Sequence, residues 1–386
     1  MIGVMPANTT KTSAPRRRQR VKKRPSRNVK QQDLDPREEL LHSTASEYRL
    51  LCQLAVYIQQ TSPWDFMEET DVFGFQDPES GALGFVSVMG KLGESQAISV
   101  YRGVEGLYGW RNFEELLEID AKSEAAHDVV YEIPQLQLAF GPPTMLEKRD
   151  RDIIKASGLK FSKTQQPQFR SYRPGYLPWF LTREEASHLV YALTQTITVA
   201  SLFFSDANVI PFNEDPEDRD YLIRIPQLKD STPHWEGSIV TVDPPPTQLL
   251  PFSVADTIVG KLREFPRSGA LEVALFVLPA KVGRSHERPR LIYALLAVDS
   301  ESGFVLGMKL MEAIDGVDLM YAGVAETLAS DWMQHQFVPQ EIRAASARLL
   351  NVLEPLASNL NVKLTLAKKL PALNRAKRSM IMHLGG

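Results

Sequence analysis

Asp299, Asp315, Asp318 and Glu326 are the one acidic set in the sequence that could hold divalent ions. Two-metal hydrolysis needs carboxylates converging on ions ~3.5–4 Å apart. Nothing in the spacing of these four forces convergence, and solvated loop charge is the plainer reading. Cys52 is the single cysteine, which excludes an intramolecular disulfide and cysteine-based zinc sites. Its neighbours Leu50, Leu51, Leu54 and Ala55 make it a buried structural thiol rather than a nucleophile. Met89-Gly90-Lys91-Leu92-Gly93-Glu94 superficially suggests a phosphate loop. It lacks the glycine spacing and the Lys-Ser/Thr ending, so it reads as a turn between strands. Gly103, Gly106 and Gly109, set around Tyr108 and Trp110 beside Arg102, fit either a ligand cleft or a tight loop with aromatic plugs. His234 beside Trp235, near Asp230 and Glu236, would need further ligands to bind a metal. His335 lies four residues after Asp331, the spacing of a helix-surface ion pair. Ser300 and Ser302 have no nucleophile-elbow context.

The charge is divided along the chain. Residues 1–32 contain ten Lys and Arg and no acid, so the net −3 leaves −13 on the remainder. Within that tail Arg16, Arg17, Arg18, Arg20, Lys22, Lys23 and Arg24 form the densest run. Few large apolar residues and three prolines (Pro6, Pro15, Pro25) predict a disordered segment over 1–35. Such a run attracts phosphates, nucleic acid or anionic surfaces. No aromatic residues interleave to stack on bases. A second basic group closes the chain, with Lys363, Lys368, Lys369, Arg375, Lys377 and Arg378. Arg375, Lys377 and Arg378, with the tail, are the candidate nucleic-acid contacts. The alternatives are an acidic protein partner or pairing with the acidic stretch Glu214 to Asp220. No apolar run approaches the ~18–20 residues of a membrane span. The polar start lacks a signal-peptide core, so a cytoplasmic protein is expected. No cofactor motif is legible, and the oligomeric state is not.

The elements that must position these residues fall into two halves. A helical pattern runs from Pro36 to Pro63, with Tyr48, Leu51, Leu54 and Ile58 on one face. Strands are predicted at 72–75, 84–88 and 97–101, with Asp77-Pro78-Glu79-Ser80-Gly81 as the first turn. A short helix follows at 113–119, then strands at 128–133 and 135–140. A helix at 146–156 ends on Gly158, and 165–175 reads as a loop. Thr182 and Glu185 form a capping box opening a long helix striped by Ala186, Leu189, Val190, Leu193, Ile197 and Ala200. Residues 206–250 are rich in Pro, Asp and Glu and read as an acidic connector, in which 221–225 and 238–242 retain strand character. Beyond it come a helix opened by Ser253, strands at 271–278, 291–298 and 304–310, a helix at 323–336, and a strand at 341–345. A helix capped by Asn351 and Glu354 keeps Pro355 in its first turn. A last strand at 362–366 and a basic helix at 371–383 complete the chain.

That order, βββ-α-β-α-β-α over about 270–383, resembles the ribonuclease H-like fold of integrase cores, and Leu295-Leu296-Ala297-Val298-Asp299-Ser300 is similar to an integrase turn. The resemblance implies carboxylates on the first strand, at the end of the fourth, and on the last helix. Here those places hold Glu272 at the strand's start, Ala344-Ala345-Ser346, and Lys377-Arg378. It therefore implies a degenerate domain without the nuclease metal site. The whole chain also resembles a bacterial two-module family of uncharacterised function. The residues that carry this are Trp64, Asp77-Pro78-Glu79, Gly84 to Gly90, Gly93-Glu94, Val100-Tyr101-Arg102-Gly103, Pro174 to Pro178 and Glu184-Glu185-Ala186. In the second half they are Pro339, Ile342, Val362 and Leu370 to Leu373. Some relatives bear a cysteine-rich metal-chelating tail that this chain lacks.

The expected architecture is thus α/β (α+β). A disordered basic tail (1–35) precedes an N-terminal mixed α+β domain (36–205). The acidic connector (206–250) leads to a C-terminal ribonuclease H-like three-layer domain (251–386). A non-enzymatic binding protein is expected, with a metal-dependent nuclease or other hydrolase using the acidic set as the alternative.

Overall fold

The computed structural model describes residues 45–384, except 94, 120–127, 213–214, 216, 230–231, 247–253, 285–286 and 368. The described residues belong to one compact unit. Arg16 to Arg24 lie outside the described residues. Eight helices and two mixed sheets are present among those described.

The first sheet has the order β5-β4-β3-β2-β1-β6-β7. Its strands are β1 (Phe73–Gln76), β2 (Leu83–Met89), β3 (Ala97–Arg102), β4 (Gln135–Gly141), β5 (Gln166–Tyr172), β6 (Asp220–Lys229) and β7 (Thr232–Thr241). Only β1 and β6 pair in parallel. Strand alternation sends Phe75, Val86, Val88 and Val100 to one face, under α1 (Ala45–Thr61) and α4 (Arg183–Ser205). Phe85, Tyr101 and Tyr221 go to the other face, under α2 (Gly103–Ile119). The helix α3 (Lys148–Ser157) packs beside α1 and ends on Gly158 in a left-handed cap. Cys52 on α1 is fully buried, and burial pushes its thiol up to about 11, with Ser157 opposing in part, as an inert core thiol should behave.

Four local expectations are corrected. Residues 166–172, read as loop, form β5. The strand is polar and contains Pro167, both tolerable because it is an edge. The acidic connector contributes β6 and β7, a ten-pair hairpin that extends the first sheet. The 128–133 stretch is a helical turn, Val130–Glu132 being a 3-10 helix, and not a strand. The glycine-rich stretch after Arg102 is helical, and Gly106 is required because a Cβ would come within 2.9 Å of the Pro134 carbonyl oxygen. The α4 helix also has the length and composition to cross a bilayer, but it carries Leu189, Leu193, Val199 and Ala200 into the core.

The second sheet has the order β10-β9-β8-β11-β12. Strands β8 (Ala270–Val282), β9 (Arg290–Asp299) and β10 (Val305–Met311) form an antiparallel meander. Strands β11 (Glu341–Ala344) and β12 (Lys363–Leu366) run parallel to β8. One face carries α5 (Asp256–Leu262), α6 (Val317–His335) and α7 (Ala347–Leu360); α8 (Pro371–Leu384) covers the other. The observed order is βββαβαβα in three layers, as expected. Ser346, not Asn351, caps α7, which places Pro355 inside the helix rather than in its first turn.

The two sheets are joined through side chains. Arg348 on α7 pairs with both Glu132 and Asp318, and its guanidinium lies 4.2 Å from the Tyr321 ring. Burial raises the Glu132 carboxyl, with Arg348 opposing the rise.

Candidate functional site

Two places merit comparison, the edge of the second sheet where a ribonuclease H-like fold would keep its acids, and a charged cleft on the first sheet.

At the sheet edge, Glu272 is 1% exposed, and its Oε2 accepts the Leu373 amide at 2.8 Å. It satisfies an orphan donor in the first turn of α8, as a capping group does. Lys377 lies 4.3 Å from the centre of the Phe276 ring. Asp299 accepts from the Ser302 amide at 2.7 Å and its hydroxyl at 2.6 Å, which hold its carboxyl below the usual range. The β9–β10 pairing sets Val298 opposite Val305 and Tyr293 opposite Met311. Asp299 and Asp315 therefore sit at opposite ends of the hairpin. Asp318 pairs with Arg348, and Glu326 is exposed on α6. The four acids do not converge, and no group of metal-ligating side chains occurs among the described residues. Arg375 and Arg378 are exposed on α8.

Other sequence candidates resolve as structure. Gly90 and Gly93 have φ of +118° and +86° in the β2–β3 turn, which is a turn and not a phosphate cradle. His335 Nε2 lies 3.0 Å from the Leu306 carbonyl oxygen. His234 is exposed in β7.

The cleft is built where several short motifs meet. Asp77 directly follows β1, and its Oδ1 accepts the Glu79 and Ser80 amides at 2.8 and 2.9 Å, the geometry of an Asx turn. Its Oδ2 lies 2.8 Å from His188 Nδ1, and both side chains are buried. His188 comes from α4, three residues after the capping-box Glu185 and on the same inward face. Its ring lies 4.8 Å from that of Phe75. Its Nε2 is buried without a hydrogen-bond partner.

Glu185 is 2% exposed and accepts from the Thr182 amide and the Ser171 hydroxyl, at 2.9 and 2.8 Å. Arg102, Arg288 and Arg173 approach it at 3.5, 3.7 and 3.9 Å. Arg288 belongs to the β8–β9 connection, so the second half of the chain contributes to this network. Burial lowers its guanidinium to about 10, with Glu185 opposing. Pro174-Gly175-Tyr176-Leu177-Pro178 holds that connection. Leu177 donates to the Pro289 carbonyl at 2.9 Å, and Leu291 donates to that of Gly175 at 3.0 Å. Gly175 has φ of +83° and leaves no room for a Cβ, which would lie 2.7 Å from Ala313. A cavity of about 270 Å³ opens here, lined by Asp77, Ser80, Arg102, Gly103, Glu184 and His188 among others. The ligand-cleft reading of Arg102 and Gly103 thus has a cavity to refer to. In the sequence Asp77 figures only in a turn and in the family resemblance, and His188 not at all. The signal for His188 is its place, as a polar residue, on the inward face of α4.

Burial is the largest influence on His188 and lowers its pKa, with Asp77 opposing. Burial alone would raise Asp77, but the Ser80 amide, His188 and the Glu79 amide outweigh it and hold the carboxyl down. The pair is thus a carboxylate and a neutral imidazole. Asp77 must accept, so Nδ1 carries the proton and Nε2 is a bare acceptor. An unfolded histidine takes up a proton near pH ~6.5, whereas folded His188 resists until lower pH. Unfolding then gains a proton, and stability is expected to fall as the pH drops below about 6.5. Melting temperature against pH should show this step in the wild type and lose it in His188→Gln.

Gly84 makes room for the pair. A Cβ there would meet a Phe75 ring carbon at 2.5 Å and His188 Nε2 at 2.8 Å. Gly84→Ala is expected to cost about 1–3 kcal/mol by overpacking. Urea unfolding measures it, and a change below a few tenths of a kcal/mol would mean that the ring and imidazole yield freely.

Among protein families, residues 48–224 match a family described as a domain of unknown function (DUF7309), and residues 259–381 match a second, also described as a domain of unknown function (DUF6930). No curated protein and no solved structure matches the chain. The cleft motifs Asp77, Arg102 and Glu185-His188 fall within the first match, and Glu272, Arg288 and Lys377 fall within the second. The chain is a two-module protein in which a DUF7309 domain precedes a DUF6930 domain.

Proposed function

We propose that the protein is a non-enzymatic binding protein whose second module is a ribonuclease H-like scaffold with its acidic positions turned to structural use. The element order and the strand order β10-β9-β8-β11-β12, with β8, β11 and β12 parallel, support the scaffold. The observation that carries the non-enzymatic reading is Glu272, which is buried and committed to the Leu373 amide. The nuclease alternative would need Asp299, Asp315, Asp318 and Glu326 to converge, and Asp299 is separated from Asp315 by the length of the β9–β10 hairpin.

The partner in this reading is nucleic acid, bound through phosphate contacts. Its support is the concentration of ten basic residues in 1–32 and the exposure of Arg375 and Arg378 on α8. Lys377 is already engaged on Phe276 and contributes less. Binding of single-stranded and duplex DNA by the full chain is expected to fall steeply with salt. Each lost phosphate contact lowers the slope of log affinity against log salt by roughly 0.7–0.9. Deleting residues 1–32 should remove most of that slope. Affinity that is insensitive to salt, or unchanged by the deletion, rejects this partner.

A further inference from the structure

The imidazole of His188 is a buried acceptor with nothing to accept. Its Nε2 has no partner among the described residues, and its own residue lines the cavity beside Arg102. A buried polar atom left without a partner costs about 1–3 kcal/mol, so such an atom on a residue that lines a cavity points to a donor that arrives from outside. The groups around it are consistent with that. Phe75 and Gly84 pack on the ring and supply no side-chain donor. Asp77 takes the other ring nitrogen, and the Glu79 and Ser80 amides fix which carboxylate oxygen it presents.

Arg102 supplies the second half of the recognition. Its guanidinium is about one-third exposed and is shared between buried Glu185 at 3.5 Å and Glu184 at 3.4 Å. Glu184 is 79% exposed, so that contact is a weak surface pair which an incoming anion can replace. Arg102, Arg173 and Arg288 face three carboxylates here, Asp77, Glu184 and Glu185, so displacement of Glu184 leaves guanidinium charge for the incoming anion. A volume of about 270 Å³ lies at the small end of ligand pockets and suits a few heavy atoms.

We infer that this cleft binds a small anion carrying a hydroxyl group, its carboxylate or phosphate on Arg102 and its hydroxyl donating to His188 Nε2. The inference concerns the first module and stands apart from the nucleic-acid reading, which rests on the tail and α8. Asp77 is a positioning residue, since its carboxylate holds the tautomer that leaves Nε2 as an acceptor.

The test uses the full chain with isotope-labelled histidine at about pH 8, where an imidazole is neutral. The probes are glycolate and glycerol 3-phosphate, compared with acetate and methyl phosphate, which present the same anions without the hydroxyl. At least one hydroxylated probe is expected to shift the His188 ring nitrogen resonance and to bind about fivefold or more tighter than its counterpart, the worth of one hydrogen bond. Which pair responds distinguishes a carboxylate ligand from a phosphate. Arg102→Gln should weaken binding about tenfold or more, as loss of a charged contact does. In Asp77→Asn the two backbone amides keep the side-chain oxygen, so the amide nitrogen faces Nδ1 and the proton moves to Nε2. That variant should melt cooperatively, retain binding of the anion and show a protonated His188 Nε2, from which the ligand hydroxyl now accepts rather than donating to it. If no probe moves His188 in folded wild type, or if neither hydroxylated probe binds more tightly than its counterpart, the inference is overturned.

Discussion

Replacing Arg170 with Met is expected to lower the unfolding free energy by about 3–5 kcal/mol. Arg170 and Asp150 form a two-pronged pair, with Nη1 to Oδ1 at 2.8 Å and Nη2 to Oδ2 at 2.7 Å, and both side chains are buried. The guanidinium also lies 4.7 Å from the Phe180 ring. Methionine fills similar volume but strands the Asp150 carboxylate, and an unpaired buried charge is the expensive outcome. Asp150 also accepts the Glu147 amide at 2.9 Å as part of the α3 capping box, so it cannot simply turn to solvent. The pair ties α3 to the edge strand β5. Urea unfolding followed by circular dichroism measures the loss. Adding Asp150→Leu to Arg170→Met should recover part of it by removing the stranded charge. A loss below about 1 kcal/mol for Arg170→Met would show that water or a neighbour compensates.

Glu272→Ala and Glu272→Gln are expected to differ sharply. Alanine removes the acceptor of a buried amide and leaves a cavity beneath α8, a loss of about 2–3 kcal/mol. Glutamine keeps a carbonyl oxygen at the same reach and should cost less than about 1 kcal/mol. A carboxylate kept for its charge would show no such difference in function, with glutamine as damaging as alanine. Equal destabilisation by both substitutions would contradict the capping role.

What the sequence discloses is unequal. Strands β1, β2 and β3 alternate apolar residues around an unmistakable turn, and Thr182 with Glu185 announces α4, so those elements were legible. The whole second half was legible in order, because β8 and β9 are apolar runs with clear turns. Strand β5 was hidden because an edge strand need not be apolar, and Gln166, Pro167 and Arg170 look like loop. The β6–β7 hairpin was hidden by the acidic, proline-rich flanks around it. Pro355 misled in the other direction. Packing of Leu349, Leu353 and Leu356 holds α7 through a residue that local propensity would use to end it. The cleft is a matter of assembly. In the sequence Arg102 and Gly103 mark a possible lining, and Asp77-Pro78-Glu79 a turn. The Asp77 to His188 contact spans 111 residues, and no local pattern reports such a contact. Arg288 joins from the far side of the chain through a connection that Gly175 and Leu177 hold in place.

Binding without cleavage can be tested in a single set of samples. End-labelled single-stranded and duplex DNA is incubated with the full chain at low salt, with Mg²⁺ and with Mn²⁺. Anisotropy then reports binding, and electrophoresis of the same samples reports length. The expected result is a salt-sensitive rise in anisotropy on DNA that remains intact with either metal. Shortened products that vanish in Asp299→Ala or Glu326→Ala, or DNA that stays unbound at the lowest salt, would contradict the account.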